Sequence, residues 1–561
     1  MRRLLPYILL SLLFFLPAHA QENDASGTTA DAEPIVVAGA IQHNGLFGIQ
    51  DDAIGTGTYE YPYLNNTYLD FAIRSRYISA GMRGELMLSP MPGYEANYRG
   101  GGISNVYVTG SCRWGSLTLG DIYSQFGSGM ILRLYEERSL GIDNSVRGGK
   151  LTLTPYRGIR MELLGGKQRR YWNMYQDHAW GFNYRQDALL GANVELQIDE
   201  WSPRMQEAGA CLLLGGSWVS KYQAKDTTVF HTVVTDGYLY RDAYNVPAWV
   251  GAWDARANFQ MKGWNALAEY AYKANDPCLD NGFSYRPGQS LLLSLSYSRS
   301  GMSVIVQAKR SENMAFRSDR QLRGTSGMIN YLPAFSNQHT YALATLYPYA
   351  TQIATGEWAV QGELRYTWKR KTKMGGKYGT TLKLNMSHIR GLGEGWFSSS
   401  PESYYTDVHM ELNKKLTKQW SLNAMLMFQE YNKAVVEGHG DLIRSFIAVA
   451  DAKWALSSNV QMRAELQYLF TRQDEGQWLH AMYELSLYKQ LMIGFSDTYN
   501  IGGTEHATGL NYYQVNATYS HGAHRLMLGF GRTRAGYNCA GGVCRYVPAQ
   551  KGVTLTYNFS W

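Results

Sequence analysis

The feature that most constrains this chain is a two-residue alternation that keeps returning in segments of roughly ten residues, the length of a membrane-crossing strand. Its cleanest copy ends the sequence. Val553, Leu555, Tyr557, Phe559 and Trp561 alternate with Thr554, Thr556, Asn558 and Ser560, so an extended chain puts all the apolar side chains on one face. Farther up, Trp358, Val360, Leu364, Tyr366 and Trp368 interleave with Glu357, Gln361, Glu363, Arg365 and Lys369. The same pattern runs through Leu69, Phe71 and Ile73, through Trp253 to Met261, through Val408, Met410 and Leu412, and through Leu466, Tyr468 and Phe470.

One such strand fits a soluble sandwich, but a chain made of them needs somewhere to put every apolar face. A bilayer is that place, and there the sheet must close, because each unpaired backbone group costs several kcal/mol in hydrocarbon. The expected fold is therefore all-β: a large closed antiparallel transmembrane β-barrel of about 24 strands, within a range of about 22–26. Mean hydropathy is −0.32 despite 42 Tyr and 15 Trp. Lipid-facing and lumen-facing residues that average out give such a value, and a bundle of spanning helices does not. Turns are expected at 89–102, 155–158, 300–301, 413–418, 457–459 and 521–523, where the alternation breaks.

The start of the chain sets the compartment. Arg2 and Arg3 precede an apolar run and Ala18-His19-Ala20, which reads as a signal peptide over 1–20. A flexible periplasmic segment is expected over 21–37 and the barrel over 38–561. With a terminal aromatic after alternating apolar positions, Tyr557, Phe559 and Trp561 resemble the signal read by the outer-membrane barrel assembly machinery. The expected partners are that machinery, outer-membrane lipid and surface-lipoprotein or secretion proteins. The charges are dispersed, with no stripe for a nucleic acid to follow.

Three stretches break the rhythm. Residues 223–245 and 313–356 read as surface loops able to fold inward, the second with room for a strand or short pair over 339–349. The third, 120–150, is rich in glycine and closely spaced opposite charges, and reads either as a polar segment folded into the lumen or, equally, as a solvated surface loop. Its candidate constriction residues are Asp121, Arg133, Glu136, Glu137, Arg138, Asp143 and Arg147. The run Gly120-Asp121, Phe126-Gly127-Ser128-Gly129 and Tyr135 through Asn144 resembles a family of uncharacterised outer-membrane proteins of Bacteroidota. The resemblance covers most of the mature chain. It implies a barrel and a compartment, and brings no substrate or catalytic residue with it.

Other candidate sites are few. Cys539 and Cys544 flank Ala540-Gly541-Gly542-Val543, a spacing that suits a loop disulfide in an oxidising compartment. Cys112, Cys211 and Cys278 leave an odd total. Ser387 and His388 point to opposite faces of a strand and make no nucleophile pair. Asp407, His409 and Glu411 share a face but read as lumen lining. No enzyme, cofactor or metal is therefore expected. A barrel this wide leaks unless filled, which leaves two functions: a channel or transporter for an unidentified solute, or a scaffold subunit of a secretion, assembly or surface-lipoprotein complex.

Overall fold

The structure is a computed structural model that describes residues 35–561, apart from 96–97, 172–186, 225–229, 236–237 and 244. The signal-peptide reading over 1–20 and most of the 21–37 segment fall outside the described residues, as does part of 223–245.

A single antiparallel sheet of 24 strands runs around the molecule, each strand paired with the next wall strand along the chain. Val36–Gly48 closes the ring by pairing with Tyr63–Arg74 on one side and with Gln550–Ser560 on the other, so no edge is left open. The sheet begins well before Leu69, where the clearest alternation starts, because Val36–Gly48 and the first half of Tyr63–Arg74 carry Gly, His and Asn that blur it. The expected turn at 413–418 is shorter than its composition implies, since Ser399–Lys415 stays paired as far as Lys415.

The alternation sorts the faces as expected. In Val460–Thr471, Leu466 is 54% exposed and Phe470 39%, whereas Glu465 is 7% and Gln467 0%. Left in water, each outward aliphatic or aromatic side chain would forfeit about 1.5–3 kcal/mol of transfer free energy. The outer surface is thus built for hydrocarbon. Tryptophans gather near the strand ends, as at the stacked pair Trp420–Trp454, with ring centroids 4.8 Å apart. Trp264 and Tyr297 pack likewise at 4.7 Å, and aromatic rings of this kind belong at the headgroup level. Among the described residues no helix is long and apolar enough to cross a membrane.

The two ends of the barrel differ. Tight turns such as 113–114, 157–158, 262–263 and 300–301 lie at the end that holds Val36 and Ser560, and the long connections 123–145, 313–356 and 534–549 lie at the other. Short turns face the periplasm in barrels of this kind and long loops face outward. This closed sheet with its apolar girdle is an integral outer-membrane protein.

Two expectations about the interruptions change. Of 120–150, only 123–145 leaves the wall: Gly115–Ile122 and Val146–Tyr156 are neighbouring wall strands. Residues 339–349 hold no strand, and turns and bends run there instead, with Tyr341, Leu343 and Tyr347 buried. Their apolar positions pack against the inside of the wall rather than pairing along an edge.

Candidate functional site in the lumen

Two loops from the outward end fold back into the barrel and meet. Phe126, Met130, Ile131 and Leu132 of 123–145 form one buried cluster with Met314, Phe316, Ile329, Leu332 and Phe335 of 313–356. Backbone bonds join them: Arg133 N–H donates to Ile329 O at 2.8 Å, and Tyr331 N–H to Gly129 O at 2.9 Å. Asn330 Nδ2 bridges both loops, donating to Met130 O at 3.0 Å and Met314 O at 2.8 Å. The inward segment, expected to be polar, therefore has an apolar heart. The wall meets it in kind, for Ile443, Ile447 and Val449 point inward in Leu442–Ala455 and belong to the same cluster.

Around that heart the charges form a network. Arg138 reaches Asp70 at 2.9 Å, Glu136 at 2.7 Å and Gln42 at 2.9 Å, and lies over the Tyr68 ring. Arg83 contacts Asp70 at 2.6 Å and Glu136 at 2.8 Å. Asp143 takes Arg169 and accepts from Tyr123 OH at 3.0 Å. Burial pushes the Asp143 carboxyl up, but Arg169 and Arg83 outweigh it and hold the group below the usual range. At Glu136 burial wins over the same kind of partners, and the carboxyl is raised.

The seven expected constriction residues thus divide. Asp121 and Arg147 are wall residues, paired across two adjacent strands, with Arg147 Nη2 2.5 Å from Asp121 Oδ2. Glu136, Arg138 and Asp143 tie the inner segment to the wall. Arg133 stacks between Tyr135 and Tyr331, 4.2 and 4.0 Å from the ring centroids, and Glu137 accepts from Ser139 Oγ at 2.6 Å.

Sequence reasoning left 313–356 without named residues. Its contacts go to the inner wall: Leu343 N–H donates to Gln467 at 2.8 Å, Gln429 donates to Tyr347 O at 3.0 Å, and Tyr349 OH meets buried Glu357. Apolar residues scattered among turn formers were the available signal. A third piece, the hairpin Gly536–Ala540 and Val543–Val547, carries a Cys539–Cys544 disulfide and clasps the loop. Tyr331 OH donates to Gly541 O at 2.5 Å, and Thr351 N–H to Gly542 O at 3.0 Å.

Among the described residues, one cluster of metal-ligating types also lies inside. His339, Asp407 and His409 converge, with Asp407 and His409 on the inner face of Ser399–Lys415 and His339 on the loop. Asp407 and His409 are buried rather than solvated lining, because the loop covers them.

The filling is uneven. A cavity of about 450 Å³ remains near the seam, between the wall residues Asn44, Asn66, Asn516 and Thr554 on one side and Tyr94 with the hairpin's Asn538 and Arg545 on the other.

The model of a family described as "Family of unknown function (DUF6029)" matches residues 1–561. No curated protein matches the chain. Among solved structures, a mutant ferric enterobactin receptor from Pseudomonas aeruginosa is 11% identical with a TM-score of 0.44, covering 95% of this chain and 81% of that one. The P pilus usher translocation pore is 9% identical with a TM-score of 0.38, covering 93% and 99%. OccK11 of Pseudomonas aeruginosa is 11% identical with a TM-score of 0.36, covering 94% and 96%. Likeness at this level says nothing of cargo.

Proposed function

The chain belongs to that family of unknown function, and from there we propose that it is an outer-membrane channel or transporter, closed in this conformation by its own inward loops, for a small polar solute. The observation that carries the reading is the cavity at the seam. Where the loops press on the wall the inner face turns apolar and dry, but along Asn44, Asn516 and Thr554 it keeps amides and hydroxyls that would suit a hydrated solute. The loops are held to the wall by the apolar cluster together with hydrogen bonds and ion pairs, so opening must give up that packing as well as the polar contacts. A shift of the loops would lengthen the seam cavity into a passage. Tyr557, Phe559 and Trp561 serve in this reading as the assembly signal, and the disulfide hairpin as the clasp that keeps the loops in register.

Single-channel recording in planar bilayers tests it. Wild type should pass small, gated currents, and a variant with 124–144 replaced by a short Gly-Ser link should pass a current several times larger. No current from either protein would sink the reading. If the protein instead leaves mild detergent only with a stoichiometric partner seated on its loops, the scaffold function takes its place.

A further inference from the structure

We propose that His339, Asp407 and His409 form a binding site for a divalent transition metal of the zinc class, which fastens the inner loop 313–356 to the barrel wall. His339 Nε2 lies 2.6 Å from Asp407 Oδ2, and His409 Nδ1 lies 2.9 Å from Asp407 Oδ1. The ligand atoms of all three fall within 4.8 Å of one another.

Charge is the first reason. The Asp407 side chain is 0% exposed, and its ion-pair partners among the described residues are these two imidazoles, themselves 4% and 1% exposed. Two neutral imidazoles donating to it would leave a full negative charge sealed beneath the loop, which is costly in a medium of low dielectric. A dication between the three groups removes that deficit. Each imidazole then keeps its proton on the ring nitrogen that faces away from the metal.

Ligand type is the second. Two imidazoles and a carboxylate suit zinc and its neighbours, whereas calcium and magnesium take oxygen ligands. Three protein ligands leave a fourth position for water. The separations now present are those of hydrogen bonds. With zinc about 2.0–2.2 Å from each ligand, tetrahedral geometry sets ligand atoms roughly 3.3 Å apart, so His409 Nδ1 must shift by about 0.4 Å from its present 2.9 Å and His339 Nε2 must withdraw by about 0.7 Å from its present 2.6 Å. It sits on a loop, not in the sheet, and can do so.

Access is the third. A cavity of about 280 Å³, lined by Asn337, His339, Tyr405 and Tyr537, runs up to the cluster. It opens on the His339 side of the cluster and offers an entry path from there. Asn337 accepts from Lys383 at 3.0 Å and turns its Nδ2 to within 3.4 Å of His339 Nδ1, a contact that must give way when Nδ1 carries the proton in the metal-bound form.

The test uses untagged, full-length protein in detergent, stripped with a chelator and then titrated with zinc, with cobalt(II) as an absorbance probe. Wild type should retain one zinc per chain, show cobalt absorption bands that zinc abolishes, and melt at higher temperature with zinc than without. His339→Ala and His409→Ala should each weaken binding roughly tenfold or more and lose the thermal shift. His480→Ala, another inward histidine, should behave as wild type. Retained heat-modifiable migration on gels will show that the variants fold. No zinc retained by wild type at micromolar concentration, or zinc retained equally after both histidines are replaced, overturns the proposal in favour of a hydrogen-bonded His–Asp–His cluster. The readout is metal content and melting, so it stands or falls apart from any conductance.

Discussion

Arg169 and Glu85 face each other at 2.6 Å, with both side chains almost wholly shielded from solvent. The other arm of the Arg169 guanidinium holds Asp143 of the inner segment, so this one side chain bolts loop to wall. Arg169→Ala removes the guanidinium that pairs with two buried carboxylates, and breaking a buried pair from one side costs about 3–5 kcal/mol. Hydrogen exchange should accelerate across 124–144 while the wall strands keep their protection. Arg169→Lys should rescue little, since an ammonium cannot make the two-armed contact. Unchanged exchange in 124–144 would show that the bolt carries no load.

Acid should loosen the loops from the rim. Asp474 accepts from Tyr347 OH of the inner loop at 3.0 Å and lies 2.8 Å from Lys433. Burial pushes its carboxyl up, but Lys433 and Tyr347 outweigh that and set it below the ordinary value. A depressed carboxyl contributes fully above its free value of about 3.9, and the contribution fades as pH falls through the lower docked value. Asp143 has the same sign. Glu136 has the opposite one: its raised carboxyl favours docking as it gains a proton, and its share of docking is lost as pH rises through the raised value. With two groups against one, limited proteolysis within 340–349 should quicken below about pH 4, and Asp474→Asn should flatten that rise. Equal cleavage at pH 3 and pH 7 would refute it.

The seam is tightest at Gly39. Its N–H donates to Trp561 O at 3.1 Å, Trp561 N–H returns the bond at 3.0 Å, and a Cβ added at Gly39 would lie 2.0 Å from the indole. Gly39→Val should therefore expel the Trp561 ring from the closing contact. The expected outcome is a lower yield of heat-modifiable barrel on gels, while Ala38→Val, one residue away, is tolerated.

Gly127 lets the inner segment come close to Glu269 of the wall strand Trp264–Lys273. Its φ is +52°, a Cβ would meet Glu269 Oε1 at 2.5 Å, and Ser128 N–H donates to the same carboxylate at 3.0 Å. Gly127→Ala should cost about 1–2 kcal/mol for the left-handed backbone alone, with the clash added. Faster exchange confined to 123–133 is the signature. An unchanged rate would mean that Glu269 yields freely.

How much of this was legible depends on the range over which each feature is encoded. Strand, lipid face and closure follow from a period of two and from the need of each amide for a partner in hydrocarbon, and both act within a few residues. Leu466, Tyr468 and Phe470 could be sorted from Glu465 and Gln467 by reading alone, and the strand number followed from counting breaks. The inner face was read as polar throughout. Ile443, Ile447 and Val449 occupy inward positions all the same, because what lies opposite them is not water but a loop packed on the inside of the wall.

The sequence by itself determined the all-β class, the orientation of most wall side chains and the compartment. Only the tertiary structure decided that the lumen is filled, that Asp121 and Arg147 stay in the wall, and that His339 descends onto Asp407. Those contacts join residues far apart in the chain, and no local periodicity records which distant segment will cover a given patch of wall.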